Sequence, residues 1–243
     1  MLSVYPMKHI RPIILLLFAL FATSVWAQPK VPREFQFAAL GGVALSDYEF
    51  DPSVTTSMAR GYTAGVAVRY IEEKFFGLQA EVLLTRRGIK DRFDSYPQYS
   101  FQRDLTYLEV PLMAHVYFNA GKRNEISFDV GPKLGYFLAD KTSATLDANF
   151  PTIAASSNHG YAHHDMGVEY KFDYGIQAGL GYEFKFSNQL SLQLQGRYYF
   201  GLGNIFPDTK ADVFETSRNN TVQIVMALWF HHRIRIPRNK QIY

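Results

Sequence analysis

Three of the seven histidines in this 243-residue chain fall in one short stretch, His159-Gly-Tyr-Ala-His163-His164-Asp165. Imidazole and carboxylate are metal donors, and a histidine beside Ser156 or Ser157 and Asp165 would supply the residue types of an oriented base and its nucleophile. The spacing matches no established ligand pattern, however, and no rigid strand end is evident to hold these side chains. The absence of cysteine removes thiolate metal sites, disulfides and thiol nucleophiles. No glycine-rich turn leads from a strand into a helix, so the phosphate cradle of a nucleotide site is missing. The expectation from these residues is no catalytic group, no metal ligand and no cofactor.

A second chemical population is larger and better ordered. Arg69, Glu81, Glu109, Asp129, Lys133, Glu169, Lys171, Asp173, Glu183, Lys185 and Arg197 all stand on the polar side of segments whose other side is apolar. The pattern is plainest from Val168 to Phe186. There Val168, Tyr170, Phe172, Tyr174, Ile176, Ala178, Leu180, Tyr182, Phe184 and Phe186 alternate with charged, polar or glycine residues. Such alternation at 180° per residue cannot be one face of a helix. The spacing predicts a strand of about 19 residues, far longer than the five or six usual in soluble proteins. Seven further segments repeat it: 35–45, 62–70, 76–84, 107–118, 126–138, 190–200 and 221–230. Pro111 cannot donate to a ladder and predicts a bulge or local break in the fourth.

Eight strands, an even number, suit an up-and-down antiparallel barrel. The connections agree. Gaps 46–61, 88–103, 140–167 and 202–220 are long, roughly 15 to 28 residues, and alternate with gaps 71–75, 119–124 and 187–189 of a handful, the asymmetry of outer-membrane barrels. Tyr170, Phe172 and Tyr174 at one end of the sixth segment, and Tyr182, Phe184 and Phe186 at the other, flank the aliphatic Ile176, Ala178 and Leu180, as an aromatic girdle does at each membrane interface. A water-soluble barrel would carry its rings inside and its charges outside. An eight-stranded lumen is too narrow for so many rings. The fold expected is therefore all-β, an eight-stranded antiparallel up-and-down transmembrane barrel over residues 28–230. The six acids and five bases named above would form a paired network inside it, with His115 a hydrogen-bonded lumen residue.

Residues 1–27 read as a secretory signal: Lys8 and Arg11 precede an apolar run from Ile13 to Trp26 that ends in Val25-Trp26-Ala27, with Met7 an alternative start. Both termini of the exported chain would face the periplasm and the long loops would face outward. Residues 231–243, with Arg233, Arg235, Arg238 and Lys240, would form a basic periplasmic tail. A net charge of +3 gives no reason to expect nucleic acid.

Particular stretches carry a resemblance. They are Gly77-Leu-Gln-Ala-Glu-Val-Leu-Leu-Thr-Arg-Arg-Gly-Ile-Lys90, Tyr107-Leu-Glu-Val-Pro-Leu-Met113, Asp129-Val-Gly-Pro-Lys-Leu-Gly-Tyr136, Gln177-Ala-Gly-Leu-Gly-Tyr182 and Arg197-Tyr-Tyr-Phe-Gly-Leu-Gly-Asn-Ile205. Together they resemble the PorT-like outer-membrane β-barrel family of Bacteroidetes. The resemblance implies a small outer-membrane barrel and, for the namesake, a part in type IX secretion and gliding. The chain departs from the pattern in running on past Phe230. The expectation is a structural, assembly or secretion-accessory barrel that contacts outer-membrane lipid and periplasmic or secretion-machinery proteins, and is not an enzyme. The rival readings are a lipid-modifying enzyme of acyltransferase or deacylase type, and a surface binding module built on the 140–167 loop.

Overall fold

Eight strands close into a barrel in the computed structural model, which describes residues 33–71, 73–150, 152, 161–207 and 213–233. They are β1 (Glu34–Asp51), β2 (Thr56–Ile71), β3 (Phe76–Asp91), β4 (Ser100–Asn119), β5 (Asn124–Thr145), β6 (Phe172–Lys185), β7 (Leu190–Asn204) and β8 (Thr216–Arg233). Each is antiparallel to its neighbours in sequence, and β1 closes the ring on β8, with Glu34 opposite Arg233 and Asp51 opposite Thr216. Closure leaves no free sheet edge to pair with another chain. The signal segment 1–27, the tail 234–243, and Ser156, Ser157 and His159 lie outside the described residues.

The two-residue period sorts side chains between wall and lumen. Phe37, Val43, Val66, Leu78, Leu180, Leu194 and Ile224 are each more than half exposed on the outer wall, while the polar residues between them are buried inside. Rings collect at two levels of that wall. At the short-turn end Phe35 meets Tyr70 at 4.9 Å, Phe75 meets Phe118 at 5.7 Å and Phe184 meets Phe186 at 5.3 Å. Toward the other end Tyr62, Tyr136, Phe172, Tyr174, Tyr198 and Phe200 are exposed. Tyr170 and Tyr182 are exposed too, so the whole expected girdle lies on the outer side, Phe184 half-buried against Phe186. At the short-turn end Gly121 holds φ +97° in the β4–β5 turn, a backbone state that side chains with a Cβ rarely adopt.

Two of the expected long loops, 46–61 and 88–103, are half strand or more. β1 and β2 leave only residues 52–55 between them, and β3 and β4 leave 92–99. At about 3.3 Å rise and about 40° tilt, 18 residues reach roughly 45 Å, well past the roughly 25 Å apolar band of such barrels. Beyond that band the sense of the alternation inverts. Asp47, Glu49, Arg60, Arg86 and Lys90 point outward, while Tyr48, Phe50, Ile89 and Leu105 are buried inside. A rule that looks for apolar residues outside stops at the inversion, although the ladder continues.

Other expectations need correction. The sixth strand has 14 residues rather than 19, because 168–171 and Phe186 lie outside it: the Glu169 and Tyr170 amides donate to the Ile205 carbonyl, the Lys171 carbonyl accepts from Phe137, and the Phe186 amide donates to the Leu190 carbonyl in the β6–β7 turn. β8 continues to Arg233, so His231 and His232 are strand residues opposite Gln36 and Phe35 rather than tail. The expectation at Pro111 is met in one of its two forms, a local break without a bulge: the β3–β4 register is the same on both sides, Ala80 facing Leu112 and Leu83 facing Glu109, with the pairs between them missing. The register shifts fall elsewhere, at Met58/Tyr62, Thr106/Tyr107 and Phe200/Asn204.

Candidate functional site

The lumen is the most elaborate part of the molecule. From the short-turn end it opens as a cavity of about 640 Å³ lined by Glu34, Tyr117, Lys122, Arg123, Lys185 and His231, among others. The floor of that cavity is ionic. Arg69, fully buried, donates to Gln36, Gln79, Glu183 and Gln193 at 2.8–3.1 Å, and its guanidinium lies 3.9 Å from the centre of the Trp229 ring. Glu183 also accepts from the Ser191 hydroxyl at 2.6 Å and lies 3.5 Å from His231, which bonds Glu34 at 2.6 Å. Beside it His115 Nδ1 meets Asp129 at 2.6 Å, and Arg197 forks onto both oxygens of Glu81 at 2.7 and 2.8 Å.

A second layer sits nearer the long-loop end. Lys133 donates to Glu109 at 3.0 Å, and Arg87 donates to Asp173 at 2.6 Å and to Asn219 at 2.7 Å. Arg87 also lies 3.4 Å from Glu109 and 4.0 Å from the centre of the Tyr107 ring, while Lys133 sits 3.7 Å from the centre of Tyr199. Charge pairs with hydrogen bonds and ring faces are what a water-poor interior demands of ions. Above this layer the lumen turns apolar: Tyr48, Phe50, Ile89, Leu105, Tyr107, Ile205, Phe206 and Phe214 pack into one buried cluster.

The crown is built from the β5–β6 connection folding over the mouth. A 3-10 turn at Ala162–His164 delivers two histidines to Asp91 at the end of β3, His163 at 2.9 Å and His164 at 2.6 Å. Phe93, Tyr99 and Phe101 form a further buried cluster there, against Leu146, Phe150 and Tyr161. Arg103 of β4 binds Asp140 of β5 at 2.5 Å and the Met166 carbonyl, tying the connection down. The Tyr99 hydroxyl and the Asn149 amide both donate to Asp147 and hold its carboxyl below the usual carboxylate range.

Of the eleven ionic residues expected inside, Arg69, Glu81, Glu109, Asp129, Lys133, Asp173, Glu183 and Arg197 are buried in the lumen. Lys185 stands at the cavity's rim, bonded to Glu125 at 2.8 Å. Glu169 and Lys171 are exposed, since they precede the shortened β6. Sequence reasoning missed Arg87 and Asp91, which follow the inward parity of Thr85 once β3 is extended past Leu84. His115 is buried in the lumen, as expected. Asp165 is exposed and is not the partner of His163 or His164; the acid–histidine–serine contact among the described residues lies at the short-turn end, where His231 bonds Glu34 at 2.6 Å and the Ser191 hydroxyl at 2.7 Å.

Solved structures similar to this chain are barrels. OprG from Pseudomonas aeruginosa is 10% identical with a TM-score of 0.49, covering 85% of this chain and 99% of its own. Neisserial surface protein A is 14% identical with a TM-score of 0.41, covering 80% and 96%. Outer membrane protein W of E. coli is 13% identical with a TM-score of 0.42, covering 84% and 99%. No curated protein matches the chain. A family model described as outer membrane protein beta-barrel domain matches residues 26–207, most of the chain and seven of its eight strands. The chain belongs to the outer-membrane protein β-barrel domain family.

Proposed function

We propose that this protein is a non-conducting, non-catalytic outer-membrane barrel with a structural, assembly or secretion-accessory role. The observation that carries the reading is the filled lumen: two ionic layers centred on Arg69 and Arg87 lie beneath the apolar cluster of Tyr48, Phe50, Phe206 and Phe214. A solute path would have to break buried ion pairs, each costing about 3–5 kcal/mol when one partner is lost. The apolar wall between two levels of rings fits lipid contact. On this reading residues 1–27 direct export, the short turns and both termini of the exported chain face the periplasm, and the crown faces outward. Likeness to the PorT-like segments favours an accessory role in secretion, with periplasmic or secretion-machinery partners. A deletion strain tests the role. Lost secretion or surface phenotypes with unchanged outer-membrane lipid acylation are expected, whereas altered acylation would establish the enzyme instead. In planar bilayers the purified barrel should pass no steady ohmic current.

A further inference from the structure

We propose that Asp91, His163 and His164 form a binding site for a divalent transition-metal ion, zinc being the probe that suits the donors. The three donor groups, one from the end of β3 and two from the 3-10 turn, lie within 4.8 Å of one another. Both imidazoles present Nε2 to the same carboxylate, one to each oxygen, at 2.9 and 2.6 Å. Their rings are 4.7 Å apart and nearly perpendicular at 83°, with both Nε2 atoms turned toward Asp91. Two imidazoles and a carboxylate are the donor set of many three-ligand zinc sites, with the fourth position left to water.

Charge points the same way. Asp91 and His163 are buried, and the shell around them is aromatic: Phe50 lies 5.5 Å from His163, Phe101 stacks on His164 at 3.6 Å, and Phe150 lies 5.5 Å from His164. A carboxylate in such a shell needs a cation. In the lumen Glu81, Glu109, Asp173 and Glu183 each meet an arginine or lysine, whereas among the described residues Asp91, like Asp129 beside His115, pairs only with histidine. A divalent ion would supply the missing charge. The two Nδ1 atoms are buried with no protein partner, so the tautomer of each ring is set only by what stands at Nε2, and moving the proton to Nδ1 as a metal binds breaks no hydrogen bond there. Tetrahedral zinc separates its donors by about 3.3 Å, so with the three groups spread within 4.8 Å the carboxylate must draw back and the imidazoles close in to bind an ion.

The site would fasten the β5–β6 connection across the mouth by a metal bridge to β3. Its test uses the full-length chain without a histidine tag, refolded in detergent, stripped with EDTA and titrated with zinc chloride in a calorimeter. One ion per chain at a micromolar or tighter Kd is expected, with cobalt(II) giving a visible spectrum of nitrogen and oxygen coordination. Asp91→Asn and His164→Gln, which keep size and hydrogen-bonding capacity, should each weaken binding more than tenfold, whereas His232→Gln, exposed at the opposite end of the barrel, should leave it unchanged. If one of the two site variants fails to give the circular-dichroism signal of a folded barrel, the other carries the comparison. Absence of saturable one-to-one binding by the unmutated chain, or equal binding by all folded variants, overturns the proposal and leaves the cluster as a hydrogen-bonded clasp.

Discussion

Arg197 and Glu81 are joined by a two-pronged bond with both side chains almost fully buried, and Arg197 also donates to Gln195 at 2.6 Å. Removing one partner leaves the other as an unpaired ion in a narrow lumen. Arg197→Ala should therefore cost about 3–5 kcal/mol, whereas replacing Arg197 and Glu81 together by methionine should be close to neutral, since neither ion then remains to be paid for by solvent. Equilibrium urea unfolding from lipid vesicles measures both; equal losses would mean that packing, not charge, holds this layer. Arg69 differs in using its whole planar fork, with four acceptors and the face of Trp229. Lysine carries the charge but not the fork, so Arg69→Lys should lose much of the stabilisation that charge alone would predict to survive. The same unfolding curves would show it.

β1 and β2 illustrate how strand identity outlasts the pattern that reveals it. The wall residues of β1 change from Val43 and Leu45 to Asp47 and Glu49 within one turn of the pleat, while Ala44 and Ser46 give way to Tyr48 and Phe50 on the inside. The hydrogen-bonded pairing with β8 continues unbroken from Glu34 to Asp51. Amide hydrogen exchange should accordingly find Ser46–Asp51 protected like the membrane-level strand rather than exchanging as a loop. β1 also approaches β8 closely at Gly42, where a Cβ would sit 2.2 Å from the Ile224 carbonyl oxygen. Backbone cannot give way as a flexible side chain can, so Gly42→Ala should destabilise by about 1–3 kcal/mol, read as a lower urea midpoint.

Because the chain has no cysteine, its orientation across the membrane can be read from single introduced thiols. Ser53→Cys in the β1–β2 turn should react with a membrane-impermeant maleimide on intact cells, and Lys122→Cys in the β4–β5 turn only after the envelope is opened. The reverse pattern would invert the proposed topology. The number of strands and the outward side of each were legible in the residues, because exposure at a spacing of two is a local property of an extended chain; the lengths of the connections were not, since β1 and β2 run on to leave only residues 52–55 between them. Eight of the eleven lumen ions followed from the same rule. The rest depended on closure. Arg69 meets Glu183 across 114 positions and Arg197 meets Glu81 across 116, contacts fixed by the stagger of eight strands around a ring. β6 begins only at Phe172, leaving Glu169 and Lys171 outside, and Arg87 and Asp91 keep the inward parity of Thr85 past the level where apolar and polar residues exchange sides. No local pattern encodes which strands face one another through the lumen, so the ionic layers, the apolar seal and the partner of His163 and His164 were decided only when the sheet met itself.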